Sequence, residues 1–116
     1  MRKLLTIITF VTAAFVFQNC GLSKKAAAAN AATLSYEKDI AGIMTMSCTP
    51  CHFPPDGKKE ALNSYEAVST HINEIIERVK LPQSDIKFMP FKNKKPALGD
   101  SLINVLVQWK EQGMSK

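Results

Sequence analysis

The sequence predicts a small all-α domain built from three main helices. Three segments place apolar residues at helical spacing, and each is flanked by residues that favour helix ends. No segment alternates apolar and polar residues as a strand would. At 116 residues the chain has room for one domain, which we place at residues 34–116, after a signal segment (1–19) and a tether (20–33).

The first predicted helix has Ser35 as its N-cap and runs into Cys48. Its apolar positions fall on one face: Tyr36, Ile40, Ile43 and Met44. Met46 is predicted to belong to the core as Met44 does.

The second helix starts at Asn63 or Ser64, since Asn63 and Glu66 have the spacing of a capping box, and Pro82 ends it. Its apolar stripe is the most regular in the chain: Tyr65, Val68, Ile72, Ile75, Ile76 and Val79.

Asp100 is the predicted N-cap of the third helix and Gly113 its stop, with Met114 at a frayed end. Five residues of this helix are predicted to point inward: Leu102, Ile103, Leu106, Val107 and Trp109. Two loops rich in Pro, Gly and Lys, residues 53–62 and 81–99, join the three helices.

Residues 1–19 predict an export signal. Arg2 and Lys3 precede an apolar run over residues 4–17, which is short for a membrane span and of the right length for a signal core. A buried core helix is the alternative, but the run is apolar on every side. Export would place the domain in the bacterial periplasm.

Residues 17–21 resemble a bacterial lipoprotein cleavage site, which would make Cys20 the lipidated first residue and anchor the protein to the membrane. Cys20 is also the odd thiol of the chain, because Cys48 and Cys51 form a set. Phe17, Gln18 and Asn19 depart from the usual site, and cleavage near Ala31 is the alternative.

The formal net charge is +5. This excess suits an acidic partner or an anionic membrane surface. The charges are too few and too scattered to indicate nucleic-acid binding.

The motif that carries chemistry is Cys48-Thr49-Pro50-Cys51-His52. Two thiols one helical turn apart can reach the two vinyl groups of one haem, and the adjacent histidine is directed at the iron. A covalent haem c would also enlarge a thin core. A zinc site would need a second ligand pair, a thioredoxin-like pair would need a βαβ context, and a simple disulfide would leave His52 unexplained.

From residue 36 to residue 113 the chain resembles the compact single-haem class I cytochrome c domain of bacteria. The shared order is a helix, the motif ending at His52, a second helix, Met89-Pro90, and a last helix that contains Trp109. The resemblance implies three helices wrapped around one haem. It also implies that the first and last helices cross, so that Ile40, Ile43 and Met44 meet Leu106, Val107 and Trp109.

In that family a methionine from the loop before the last helix is the sixth iron ligand, a role that the resemblance carries to Met89. The alternatives are core filling by Met89 and ligation by His71, which shares a helix with Glu74 and Glu77 and is predicted to lie at the surface. The family also uses a downstream backbone carbonyl to accept the proton of the proximal imidazole. The sequence does not say which residue supplies that carbonyl, because the crowded segment 53–57 departs from the family pattern.

With His52 and Met89 on the iron, the resemblance implies an electron carrier rather than an enzyme, acting alone or within a larger oxidoreductase complex. Four lysines near Met89 either steer acidic redox partners or solvate the loop: Lys87, Lys92, Lys94 and Lys95. Two other functions stay open. One is a five-coordinate haem protein that senses gas or reacts with peroxide, and the other is a haem-free thiol redox protein.

Overall fold

The computed structural model describes residues 32–116, of which residues 33–116 form one compact unit. A π-helical turn, Tyr36–Ile40, leads into helix α1 (Ala41–Cys48); helices α2 (Tyr65–Lys80) and α3 (Asp100–Glu111) follow, with a short 3₁₀ turn at Phe91–Asn93 between them. No strand occurs in residues 32–116, so the predicted all-α class is confirmed over this range.

The predicted signal segment, the lipidation site Cys20 and most of the tether lie outside the described residues. Among the helices of residues 32–116, none has the length and apolar character needed to cross a membrane.

The first helical segment begins and ends where its sequence predicts. Ser35 is the N-cap: its hydroxyl accepts a hydrogen bond from the Lys38 N–H at 3.4 Å, and its own N–H donates to Asp39 Oδ2 at 2.8 Å. Helix α1 ends at Cys48 because Thr49 is extended, the conformation that the following Pro50 imposes on it. The thiol of Cys48 therefore sits at the end of a rigid element.

The other two helices show small corrections at their starts. Ser64, not Asn63, caps α2 by accepting the Ala67 N–H at 3.2 Å, so the predicted pairing of Asn63 with Glu66 is one residue out of register. Gly99 is the N-cap of α3, and Asp100 lies in its first turn, where its charge suits the helix dipole. Gly113, at φ 89°, supplies the predicted stop.

The core is a single cluster to which all three helices contribute. Its most deeply buried side chains are Ile40, Met44, Val68, Ile72, Leu106 and Trp109. The turn Tyr36–Ile40 contacts α3, and Ile40, Ile43 and Met44 share this cluster with Leu106 and Trp109, so the predicted meeting of the first and last helical segments is confirmed for these residues; Val107 is not among them. Val105 also packs against the cluster, whereas the sequence pattern assigned an inward position on this helix to Val107.

Met46 is 61 % exposed, and its prediction as a core residue was wrong. It follows Met44 by two residues, which is about 200° around a helix, so the two side chains lie on opposite faces.

The C-terminal residues are tied to the core rather than frayed. The Met114 N–H donates to the Trp109 carbonyl at 2.9 Å, and the Met114 carbonyl accepts the Tyr65 hydroxyl at 3.0 Å. The Ser115 carbonyl accepts both the Trp109 indole N–H (2.8 Å) and the Tyr36 N–H (2.9 Å). This segment closes over a group of aromatic rings formed by Tyr36, Tyr65 and Trp109, whose centroids lie 5.8 to 6.3 Å apart.

Candidate functional site

A cavity of about 280 Å³ lies between the end of α1, the loop 53–62, helix α2 and the loop 81–99. The four residues predicted to hold a cofactor all line it: Cys48, Cys51, His52 and Met89. Met89 is far from the other three residues in the sequence, so the fold, and not the local motif, brings the four residues together.

The motif residues form a compact turn that continues from α1. The His52 N–H donates to the Cys48 carbonyl at 3.0 Å, and the Phe53 N–H donates to the Pro50 carbonyl at 3.1 Å. Both cysteines are free thiols; Cys48 is half-buried and Cys51 is exposed. The turn therefore holds the two thiols and the imidazole on one rigid unit at the cavity wall.

The loop 53–62, which begins with the crowded segment 53–57, folds back over this turn. The Lys59 N–H donates to the Cys51 carbonyl at 3.2 Å, and the Leu62 N–H donates to the His52 carbonyl at 2.8 Å. Gly57 lies so close to the turn that a Cβ there would overlap the carbonyl oxygens of Pro50 and Cys51. Only glycine fits at this position, because the atoms it would displace belong to the backbone.

The loop 53–62 also holds the imidazole of His52. Its Nδ1 lies 2.7 Å from the Glu60 carbonyl oxygen. With Nδ1–H donated to this carbonyl, Nε2 carries the lone pair and is the nitrogen able to bind a metal. Glu60 thus supplies a backbone carbonyl of the kind that the resemblance leads one to expect downstream of His52.

Met89 reaches the cavity from the opposite loop. Its N–H donates to the Arg78 carbonyl in the last turn of α2, at 3.2 Å. The preceding Phe88 is only 3 % exposed and anchors the loop in the protein interior. Met89 is half-buried, and its position on the cavity wall is compatible with ligation.

His71 was predicted as a surface residue, and the structure adds that this partly exposed residue also belongs to the cavity wall. Its side chain is 32 % exposed and lines the cavity. Its Nε2 lies 3.5 Å from a carboxylate oxygen of Glu60, and its Nδ1 lies 3.8 Å from one of Glu74. Each ring nitrogen of His71 thus has a carboxylate oxygen nearby.

Sequence reasoning missed Arg78 and Glu74, which also line the cavity. A signal was available: His71, Ile75 and Arg78 follow each other at helical spacing, so they share the face that Ile75 buries. The Glu74 carboxylate lies 2.7 Å from Arg78 Nη2, and the hydrogen bond and charge of Arg78 lower the pKa of Glu74.

The four lysines around Met89 differ in their contacts. Lys95 is half-buried, with its Nζ 2.6 Å from the Met46 carbonyl and 2.9 Å from the Thr49 hydroxyl, so it caps the end of α1. Lys92 lies over the Phe91 ring at 5.4 Å, Lys94 lines the cavity and Lys87 is exposed. Lys95 therefore has a structural role, which neither of the two predicted roles included.

Burial raises the pKa of the Cys48 thiol to about 11, and the nearby Lys95 charge offsets only part of this effect. Thiol–disulfide chemistry requires a thiolate, and reactive cysteines have a lowered pKa. Burial thus makes Cys48 a weaker nucleophile than a solvent-exposed thiol, and Cys51 is the accessible thiol of the pair.

The lining of the cavity fits a haem bound through thioethers. Apolar side chains form much of the wall: Leu62, Ile75, Val79, Pro90, Phe91 and Leu98. Two free thiols adjoin an imidazole whose Nδ1 is occupied, and a thioether comes from a separate loop. Within residues 32–116 no three His, Cys, Asp or Glu side chains are grouped to hold a metal ion, whereas haem iron takes only one or two axial ligands from the protein.

No protein-family model, curated protein or solved structure matches the chain. The interpretation of the site therefore depends on its own residues and their geometry.

Proposed function

We propose that this chain is an exported c-type cytochrome that carries one covalently bound haem and passes single electrons between redox partner proteins. One observation supports this most: Cys48, Cys51, His52 and Met89 line one cavity, and the Glu60 carbonyl leaves His52 Nε2 as the metal-binding nitrogen.

Cys48 and Cys51 would hold the cofactor. Each thiol would bond to one vinyl group of the haem and pass its hydrogen to the neighbouring vinyl carbon, so that no atom would be lost. The turn from Cys48 to His52 is pinned to α1 and to the loop 53–62, so it presents both sulfur atoms from one rigid unit.

His52 and Met89 would bind the iron. The Glu60 carbonyl fixes the ring of His52 and makes Nε2 a stronger donor, while the neutral thioether of Met89 favours reduced iron and raises the potential. The haem iron, when bound, supplies one-electron redox chemistry. With both positions filled the protein offers no open site to a substrate, which is why an electron carrier is favoured over an enzyme.

Export and anchoring complete the proposal. The signal segment would send the chain to the periplasm, and a lipid on Cys20 would hold the domain at the membrane through the tether. Membrane fractionation of a Cys20→Ser variant tests the anchor. We expect this variant to become soluble, and unchanged membrane association would contradict lipidation.

The central test is haem staining of the denatured polypeptide, produced with its signal in cells that attach haem. We expect the wild type to stain at the mass of the chain, because thioether-bound haem survives boiling in detergent. The double variant Cys48→Ala/Cys51→Ala should not stain, and Ser47→Ala, next to the motif, should stain as the wild type does. An unstained wild type would contradict the proposal.

A further inference from the structure

We propose that Arg78, oriented by Glu74, is a positioning residue that holds Met89 on the iron. This inference rests on the proposed function, because it concerns the sixth ligand of that haem. Arg78 and Glu74 lie one helical turn apart on α2 and line the same cavity as Met89.

Arg78 contacts the peptide groups on both sides of Phe88. Its carbonyl accepts the Met89 N–H at 3.2 Å, and its Nη1 donates to the Lys87 carbonyl at 3.5 Å. Phe88 itself is buried. Three attachments therefore hold the segment that presents the thioether, and Arg78 supplies two of them.

Glu74 restricts where the guanidinium can go. Both Nε and Nη2 of Arg78 bond to the same carboxylate oxygen, at 2.9 and 2.7 Å. A guanidinium is planar, so two bonds to one carboxylate also set its orientation. The third nitrogen, Nη1, is then left for the Lys87 carbonyl.

The backbone bond alone leaves the loop weakly held. The Arg78 carbonyl belongs to the last turn of α2 and has no partner within the helix, so the Met89 N–H is its natural donor. The residues before Phe88 are exposed, with Ile86 83 % exposed, and their contacts are local turns such as the Lys87 N–H bond to Asp85. Removing the side chain of Arg78 should therefore raise the rate at which Met89 leaves the iron.

Carbon monoxide measures that rate in the reduced, haem-containing protein. At saturating carbon monoxide, binding can proceed no faster than Met89 dissociates. We expect Arg78→Gln and Glu74→Gln to bind carbon monoxide faster than the wild type, roughly tenfold for Arg78→Gln, because a bond to a charged group is lost. The near-infrared band from sulfur-to-iron charge transfer should weaken at a lower temperature in both variants.

Lys116→Ala is the matched control. It removes another ion pair of α2, between Lys116 and Glu66 at 3.2 Å, which lies at the opposite end of the helix from Arg78. We expect its carbon monoxide rate to equal that of the wild type. A loss of overall stability would change the unfolding midpoint in any of the three variants. Only a positioning role predicts faster carbon monoxide binding in Arg78→Gln and Glu74→Gln and not in Lys116→Ala.

The outcomes separate this inference from the proposed function. A wild type with the near-infrared band and variants with unchanged carbon monoxide rates would overturn the role of Arg78 alone. A wild type that carries haem but lacks the band would overturn both the role of Arg78 and ligation by Met89. If Arg78→Gln does not fold, Glu74→Gln decides the question, because it leaves every backbone contact in place.

Discussion

The two sides of the cavity are held in different ways. On the side of His52, backbone hydrogen bonds tie the motif turn to α1 and to the loop 53–62, and the imidazole is fixed by a carbonyl at 2.7 Å. On the side of Met89, one backbone bond, one buried phenylalanine and one arginine side chain hold the segment 87–89, while Lys95 ties a later part of the same loop to the end of α1. We therefore expect the surroundings of His52 to keep their structure when a nearby residue is changed, and Met89 to be displaced first.

The largest expected effect comes from filling the space at Gly57. Gly57→Ala would force a Cβ into the carbonyls of Pro50 and Cys51, and backbone atoms cannot yield as a side chain can. We expect a loss of about 3 kcal/mol in the free energy of unfolding and a lower yield of protein with attached haem, measured by urea unfolding and haem staining. Gly42→Ala, where the new methyl group meets nothing within 4 Å, should be neutral or stabilising. Equal stability of the two variants would contradict the close packing of this turn.

Removing Met89, the proposed ligand on the other side of the cavity, should leave the fold intact. In Met89→Ala we expect haem attachment as in the wild type, a lower reduction potential, and ready binding of carbon monoxide to the reduced protein. Voltammetry and absorption spectra measure these changes. His71→Ala is the control and should keep the potential near that of the wild type. Loss of the sixth ligand in His71→Ala, with no change in Met89→Ala, would assign ligation to His71 instead.

The thiols of the haem-free protein should differ in reactivity. Cys51 is exposed, whereas Cys48 is half-buried and its pKa of about 11 leaves on the order of 100-fold less thiolate than a thiol at 9.0. At pH 8 we expect iodoacetamide to alkylate Cys51 well before Cys48, as followed by peptide mass spectrometry. Equal rates would mean that burial does not protect Cys48.

The smallest expected effect is that of acid on the methionine side. Arg78 lowers the pKa of Glu74 in the folded protein. At a pH above the ordinary pKa of 4.5 the pair therefore stabilises the folded protein, and this stabilisation is lost as the pH falls through the lower pKa of the folded state. Below pH 4.5 we expect the near-infrared band to weaken in the wild type. Glu74→Gln has no such carboxylate and should show a weaker band at neutral pH with less further change. Identical acid profiles in the wild type and Glu74→Gln would contradict a role of Glu74 in this pH dependence.

The helices could be predicted from local patterns because apolar spacing and capping residues act on the backbone within a few positions of themselves. Helix α2 follows its apolar stripe, and Ser35 and Gly113 act through the backbone beside them. Ser64 is one of the two N-caps that the sequence offered for α2, and the error at the start of α3 is a shift of one residue, from Asp100 to Gly99. Met46 was misplaced because its hydrophobic character was considered without its angle around the helix.

The candidate ligands of the proposed haem could be predicted from the sequence, and the groups that hold them in place could not. His52 and Met89 could be recognised in the sequence by the chemistry of their side chains. Glu60 contributes a backbone carbonyl, which every residue has, so the sequence does not single it out. His71 was judged by its neighbours Glu74 and Glu77, although its face is set by Ile75 and Arg78. The closure of the C-terminus by Tyr36, Tyr65 and Trp109 joins residues from both ends of the domain, and no local pattern records such a contact.

The most direct measurement of the central claim is the absorption spectrum of the purified wild-type protein. If His52 and Met89 ligate a covalent haem, the oxidised protein shows the weak near-infrared sulfur-to-iron band, and the reduced protein does not readily bind carbon monoxide. A haem spectrum without that band, together with rapid carbon monoxide binding, would contradict the account and favour a five-coordinate haem. The absence of any haem absorption would contradict it entirely.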